Sequence, residues 1–248
     1  MSVRSALILA ALVFVLTVLV RLPASVLLSH APAALQCTDA TGTLWRGSCG
    51  TLALGPRSVR EVRWTLHPGA LLRARVALDL SSLDPDATGQ AYLEWRPDGE
   101  LLIERLDALL GPPQTAALLP AGWSGSLQLA IQRARLRDGH LVDLAGTLDL
   151  RELRLRAPRT AFGSYELLVA PDGATGGAGD APMQGTLRDL EGPLSLRGQM
   201  RLTPQGSYEL SGRVAARADA DAGVQQLLGL LGPIGADGTR EFSLAGTL

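Results

Sequence analysis

LSLRGQMRLTPQGSYELSGRV, residues 194–214, decides the fold. Leu194, Leu196, Gly198, Met200 and Leu202 alternate with Ser195, Arg197, Gln199 and Arg201. Tyr208, Leu210, Gly212 and Val214 alternate with Glu209, Ser211 and Arg213. Side chains of an extended chain point to opposite faces in turn, so each run has an apolar and a polar face. Between them, Thr203-Pro204-Gln205-Gly206-Ser207 supplies the Pro and Gly that a reversal needs. The stretch predicts a β-hairpin with one wet and one dry side.

The same period recurs upstream. Val62, Trp64 and Leu66 alternate with Glu61, Arg63 and Thr65, and Ala74, Val76, Leu78 and Leu80 alternate with Arg75, Ala77 and Asp79. Ala91, Leu93 and Trp95 lead through Pro97-Asp98-Gly99 into Leu101 and Ile103. Leu127, Leu129 and Ile131 are followed, after Asp138-Gly139, by Val142, Leu144, Leu148 and Leu150. Roughly a dozen strands at this spacing predict an antiparallel meander. Two segments depart from the period: residues 104–110, stopped by Gly111-Pro112-Pro113, and residues 222–231, stopped by Gly232-Pro233. Both read as short helices. Residues 171–182 (PDGATGGAGDAP) read as a solvated loop. Gly-Thr-Leu begins at Gly42, Gly50, Gly146, Gly185 and Gly246, each time read as opening or lying in a strand. The spacings are too irregular for a solenoid.

The N-terminus sets the compartment. Residues 5–20 are uncharged, between Arg4 and Arg21. That run is about 24 Å long as a helix and reaches a spanning length by continuing through Leu22 to Leu28, with Arg21 snorkelling. A retained anchor is favoured over cleavage at Ala31-Pro32-Ala33, where Pro32 is poorly placed. Arg4 outside the run orients the N-terminus to the cytoplasm and the bulk to the periplasm. We therefore expect a mainly β protein. Residues 1–34 would be a membrane anchor, made of a cytoplasmic stub, a transmembrane helix and a short linker. Residues 35–248 would be a periplasmic domain: a curved, twisted antiparallel sheet, an open half-barrel or meander, with two short helices. A finer reading divides it into similar halves meeting near residues 112–126.

Composition narrows the function. A formal net charge of −1 offers no footprint for nucleic acid. The two cysteines, Cys37 and Cys49, lie close together in the exported part and predict one structural disulfide. Without Cys-x-x-Cys spacing a redox pair is disfavoured. Three scattered histidines and no further Cys leave no zinc set, and no cofactor motif is present. Gly122-Trp123-Ser124-Gly125 falls one residue short of a nucleophile elbow, and the Gly-rich loop at 173–177 lacks the Lys of a P-loop. The sequence predicts no enzyme.

The stretch Gly42-Thr43-Leu44-Trp45-Arg46-Gly47, with Val62-Arg63-Trp64-Thr65-Leu66 behind it, carries a family resemblance. Leu190-Glu191-Gly192-Pro193-Leu194, Gly206-Ser207-Tyr208 and the Leu-Leu-Gly-Leu-Leu-Gly of residues 227–232 add to it. With the leading hydrophobic segment, the chain resembles type II secretion system protein N over nearly its whole length. The first motif also fits the wider group of AsmA-like envelope proteins. The resemblance implies an accessory subunit of the machine that exports folded proteins. It would sit at the inner membrane, bound to other secretion subunits there and in the periplasm. The AsmA-like resemblance implies an alternative: a curled sheet whose Leu-rich dry face forms a groove that binds or transfers lipid. Trp45 and Trp64 read first as core and second as interface anchors, and Arg46 reads as a solvated turn residue.

Overall fold

The computed structural model describes residues 14, 17–18, 21–25, 35–55, 57–157, 159–169 and 182–247. The expected anchor lies almost wholly outside the described residues, as does nearly all of the Gly-rich loop. Among the described residues no helix is long and apolar enough to cross a membrane. The chain divides into two compact units, Met1–Asp84 and Pro85–Leu248.

The first unit is built on β3 (Arg46–Leu54). One edge of β3 pairs with β1 (Leu35–Thr38) and then β2 (Thr41–Gly42). Both follow one register, so β1 and β2 form a single strand interrupted at Asp39, which has φ +56°. The other edge pairs with β4 (Arg57–Leu66), and β4 with β5 (Val76–Asp84). A short helix α1 (Pro68–Leu71) joins these last two. Asp84 is buried at 2% exposure and accepts from the Arg60 backbone N–H at 2.8 Å and from its guanidinium at 3.3 Å. A buried carboxylate without such donors would be strongly destabilising.

The second unit is a meander in sequence order, each strand antiparallel to the next. It comprises β6 (Ala87–Trp95), β7 (Glu100–Leu110), β8 (Trp123–Arg137), β9 (His140–Leu155) and β10 (Thr160–Val169). It continues with β11 (Met183–Glu191), β12 (Leu194–Leu202), β13 (Ser207–Ala216) and β14 (Arg240–Thr247). The hairpin that opened the reading is β12–β13, paired from Leu194↔Ala216 to Leu202↔Tyr208. Its turn closes with the Thr203 N–H donating to the Ser207 carbonyl at 2.8 Å, and Gly206 takes φ +85°. Asp138-Gly139, at φ +51° and +81°, forms the two-residue turn between β8 and β9.

Residues 104–110, expected to be a helix, are strand β7. At Arg105 (φ +52°) the register with β6 slips by one residue, between Gln90 and Tyr92. This bulge turns the dry face from Leu101 and Ile103 to Leu106, Ala108 and Leu110. The inserted residue spaces two apolar positions by three, which imitates a helical period. The expected helix at 222–231 is present as α3 (Ala222–Leu228) with a 3₁₀ turn, Gly229–Leu231. A further short helix, α2 (Pro112–Thr115), links β7 to β8. Those two strands pair directly.

Strict alternation also fails in two strands. At the start of β5 Ala77 is buried, at 1% exposure, and the neighbouring Val76 and Leu78 are not. Near the end of β6, Trp95 is 47% exposed while Glu94 is 9% exposed. Glu94 is drawn in because Arg96 Nε donates to it at 3.0 Å, and Arg96 and Arg137 also hold buried Glu100 at 3.1 and 3.4 Å. The Glu94 bond holds the Arg96 guanidinium above its ordinary pKa against the opposing effect of desolvation, with Glu100 adding to the rise.

Candidate interaction surface

The structure brings Gly42 to Gly47 and Trp64 together into one clamp. Gly42 ends β2 with φ +87°, so this Gly-Thr-Leu leaves a strand, whereas the copies at Gly50, Gly146 and Gly185 lie inside strands. The Thr43 N–H donates to the Arg46 carbonyl at 2.8 Å, closing the turn. Gly47 stands opposite Trp64 in register, and the indole lies on it: a Cβ at Gly47 would fall 2.3 Å from Trp64 Cζ2. Trp64 Nε1 donates to the Leu44 carbonyl at 3.1 Å, fixing the ring over the turn. Trp45 and Trp64 are half-buried and Arg46 is exposed. The motif's outer rim holds an incoming stretch of chain. The Leu44 N–H donates to the Leu22 carbonyl at 2.8 Å, Pro23 bridges to Thr43, and Ala24 is buried at 2% exposure. That seat was not foreseen, because backbone bonds to a Leu-Pro-Ala stretch leave no composition signal.

Cys37 and Cys49 form a disulfide, with Cα atoms 5.8 Å apart. It ties β1 to β3 beside the interruption at Asp39. Cys49 is buried.

The sheet of the second unit presents an open edge and two distinct faces. Among the described residues β14 pairs only with β13, leaving eight residues of strand with one free side. Such an edge displays unpaired backbone donors and acceptors, a template for another strand. The strand contains no Pro, and Leu244 is 54% exposed.

On the dry face one cross-strand row runs through Ala108, Leu129, Leu148, Leu167 and Leu187 to Gly198, Gly212 and Phe242. Its four leucines are half-buried, and among the described residues no second sheet covers the row. At the glycines the Phe242 ring substitutes for missing side chains, within 3.3 Å of a Cβ built at Gly198 and 2.9 Å at Gly212. One end is covered by α3, which packs Val224 and Leu228 onto Phe162, Tyr165, Leu194 and Val214. The Asp221 carboxylate caps α3 through the Val224 N–H at 2.8 Å. Burial, with the nearby Asp189 charge adding and Arg217 opposing, pushes the Tyr165 hydroxyl up to about 12. That hydroxyl donates to the Phe162 carbonyl at 2.6 Å. A second apolar cluster, Val169, Met183 and Leu202, closes the other end.

Among the described residues no three His, Cys, Asp or Glu side chains gather as a metal site. His67 Nε2 and Asp79 Oδ2 meet at 2.6 Å on the surface, both side chains about half exposed. The polar face instead carries ion pairs between strands, among them Arg133 and Arg135 with Asp143, and Arg188 with Glu166.

The family model described as type II secretion system (T2SS), protein N, matches residues 33–243. A type II secretion system protein N from Pectobacterium carotovorum subsp. carotovorum is 24% identical over 220 residues, 88% of this chain and 86% of the relative. One from Vibrio cholerae serotype O1 is 27% identical over 157 residues, 59% of this chain and 61% of the relative. No solved structure matches the chain. The chain belongs to the type II secretion system protein N family.

Proposed function

We propose that the chain is an accessory structural subunit of the type II secretion system, acting by protein–protein contact in the periplasm at the inner membrane. Family membership makes it a component of that system. The observation that carries the finer reading is the open β14 edge, eight residues long and able to accept a partner strand by backbone pairing. The disulfide fits an oxidising compartment. The uncharged run at residues 5–20 supplies an anchor, whose polypeptide exit the clamp at Leu44 would seat beside the first unit. A photocrosslinking residue at Ser243 in native membranes is expected to capture another secretion subunit, while one at Gln184, on the polar face of β11, captures none. Equal capture from both positions would refute edge docking.

A second reading is supported by the uncovered leucine row: a groove on the dry face that holds acyl chains. Phospholipid co-purifying after mild extraction, and lost in Leu148→Arg, is the outcome this reading expects. Mass spectrometry free of lipid would remove it.

A further inference from the structure

The polar face of the second unit carries a charge row with an uncompensated centre. In register from β9 to β14 stand Asp149, Glu166, Arg188, Arg197, Arg213 and Glu241, one on each strand. Directly opposed residues on neighbouring strands lie about 5 Å apart, so three successive arginines set like charges side by side, which destabilises a sheet. The outer two have carboxylate partners. Arg188 Nε donates to Glu166 at 2.6 Å, and Arg213 lies 3.6 Å from Asp237 and 3.8 Å from Glu241. Arg197, between them, has no carboxylate partner among the described residues.

A groove of about 880 Å³ opens at this point, and all three arginines line it. The neighbouring cross-strand row, Thr186, Gln199 and Ser211, adds neutral donors to its wall. The one carboxylate in the lining, Asp237, accepts from the Thr239 hydroxyl at 2.8 Å and its N–H at 3.1 Å. Its negative charge disfavours an anion at the Arg213 end and directs it toward Arg188 and Arg197. A guanidinium has five N–H donors, so the Nε bond of Arg188 to Glu166 leaves several unused. Among the described residues no partner takes up those of Arg197. A carboxylate, with two oxygens and one charge, satisfies one such fork. A phosphate group, with more oxygens and up to two charges, bridges neighbouring forks and relieves the repulsion along the row.

We propose that this groove binds an oxyanion of the phosphate class, with Arg197 as its central ligand and Arg188 beside it. The phosphate comes free or on a lipid headgroup, and the site is separate from the β14 edge and from the dry face.

The test uses the full chain in neutral detergent, titrated calorimetrically with inorganic phosphate while chloride holds the ionic strength constant. Saturable binding is expected, weakened about tenfold or more by Arg197→Gln. Arg201→Gln, on the same face of β12 but outside the groove lining, leaves it unchanged. Tighter binding of dihexanoyl phosphatidic acid than of phosphate, with none of dihexanoylglycerol, assigns the lipid source; equal binding of the two phosphates assigns the free ion. Because Arg197→Gln removes one of three like charges, its thermal midpoint without phosphate is at or above that of the unaltered protein. A lower midpoint overturns the proposal, since the arginine would then be structural. Absence of saturable binding, equal losses in Arg197→Gln and Arg201→Gln, or Arg197-dependent binding of a polyglutamate peptide without phosphate binding each overturns it too.

Discussion

Opening the bridge between Cys37 and Cys49 tests whether β1 belongs to the first unit through its backbone or through the covalent tie. The bridge spans a sequence separation of 12. The chain-entropy relation for a loop of that size gives about 10 cal/mol/K, or about 3 kcal/mol at 25 °C. Against this, β1 contributes only four paired residues to β3, a ladder too short to persist alone. Reduction of the unaltered protein removes the tie and nothing else. Cys37→Ala with Cys49→Ala also removes a sulfur at a site only 1% exposed, adding about 1 kcal/mol for lost packing. Hydrogen exchange read by mass spectrometry separates the effects by segment. On reduction, amides of residues 35–42 should exchange faster by about two orders of magnitude, the factor that 3 kcal/mol represents. Residues 183–216, in the other unit, should keep their rates. Unchanged protection at 35–42, or loss spread evenly over both units, would refute the assignment of the bridge as the fastening of β1.

Two further outcomes follow from the second unit. Tyr165 holds its proton to about pH 12 when folded, against about 10 unfolded, so the folded state binds the proton more tightly. Its contribution of about 2–3 kcal/mol is complete below pH 10 and is lost as pH rises from 10 to 12; urea titrations of Tyr165→Phe should lack that decline. Gly212→Ala would place a Cβ 2.3 Å from the Arg197 carbonyl oxygen and 2.9 Å from Phe242, costing about 2 kcal/mol or more. Gly229→Ala meets nothing within 4 Å and should change the denaturation midpoint little; similar midpoints for the two variants would contradict the packing at Phe242.

How much of this was legible depended on whether a residue's face is set by its own strand. In β12 and β13 it is: every side chain from Leu194 to Leu202 lies on the face that alternation assigns. In β7 it is not, because the bulge at Arg105 changes parity, and a parity change reads as a helical step. Glu94 and Trp95 exchange exposure because Arg96 supplies a charge partner, a pairing fixed by the hairpin rather than by local pattern. The disulfide was legible from two cysteines close together in a segment read as exported. The clamp was legible only as a motif: nothing in Gly47 announces that Trp64 will lie on it. Register hides most completely. Arg188, Arg197 and Arg213 are scattered in sequence and become a row only when three strands align.

The same registers bind the open edge to the interior of the sheet. Phe242 belongs to β14, yet its ring fills the space above Gly198 and Gly212, on β12 and β13. Deleting the last strand would therefore expose a new edge at β13 and bare two glycines on the dry face. Loss of function in such a truncation would confound docking with collapse of packing. Ser243 and Ala245 point to the polar side and leave the ring untouched, so substitutions there probe the edge alone. A partner strand added to β14 would extend both faces by one row. Its residues beside Phe242 would meet the end of the leucine row, and those beside Glu241 would meet the end of the charge row. An apolar residue at the first position and a cation at the second is the pattern that the geometry favours in a captured partner.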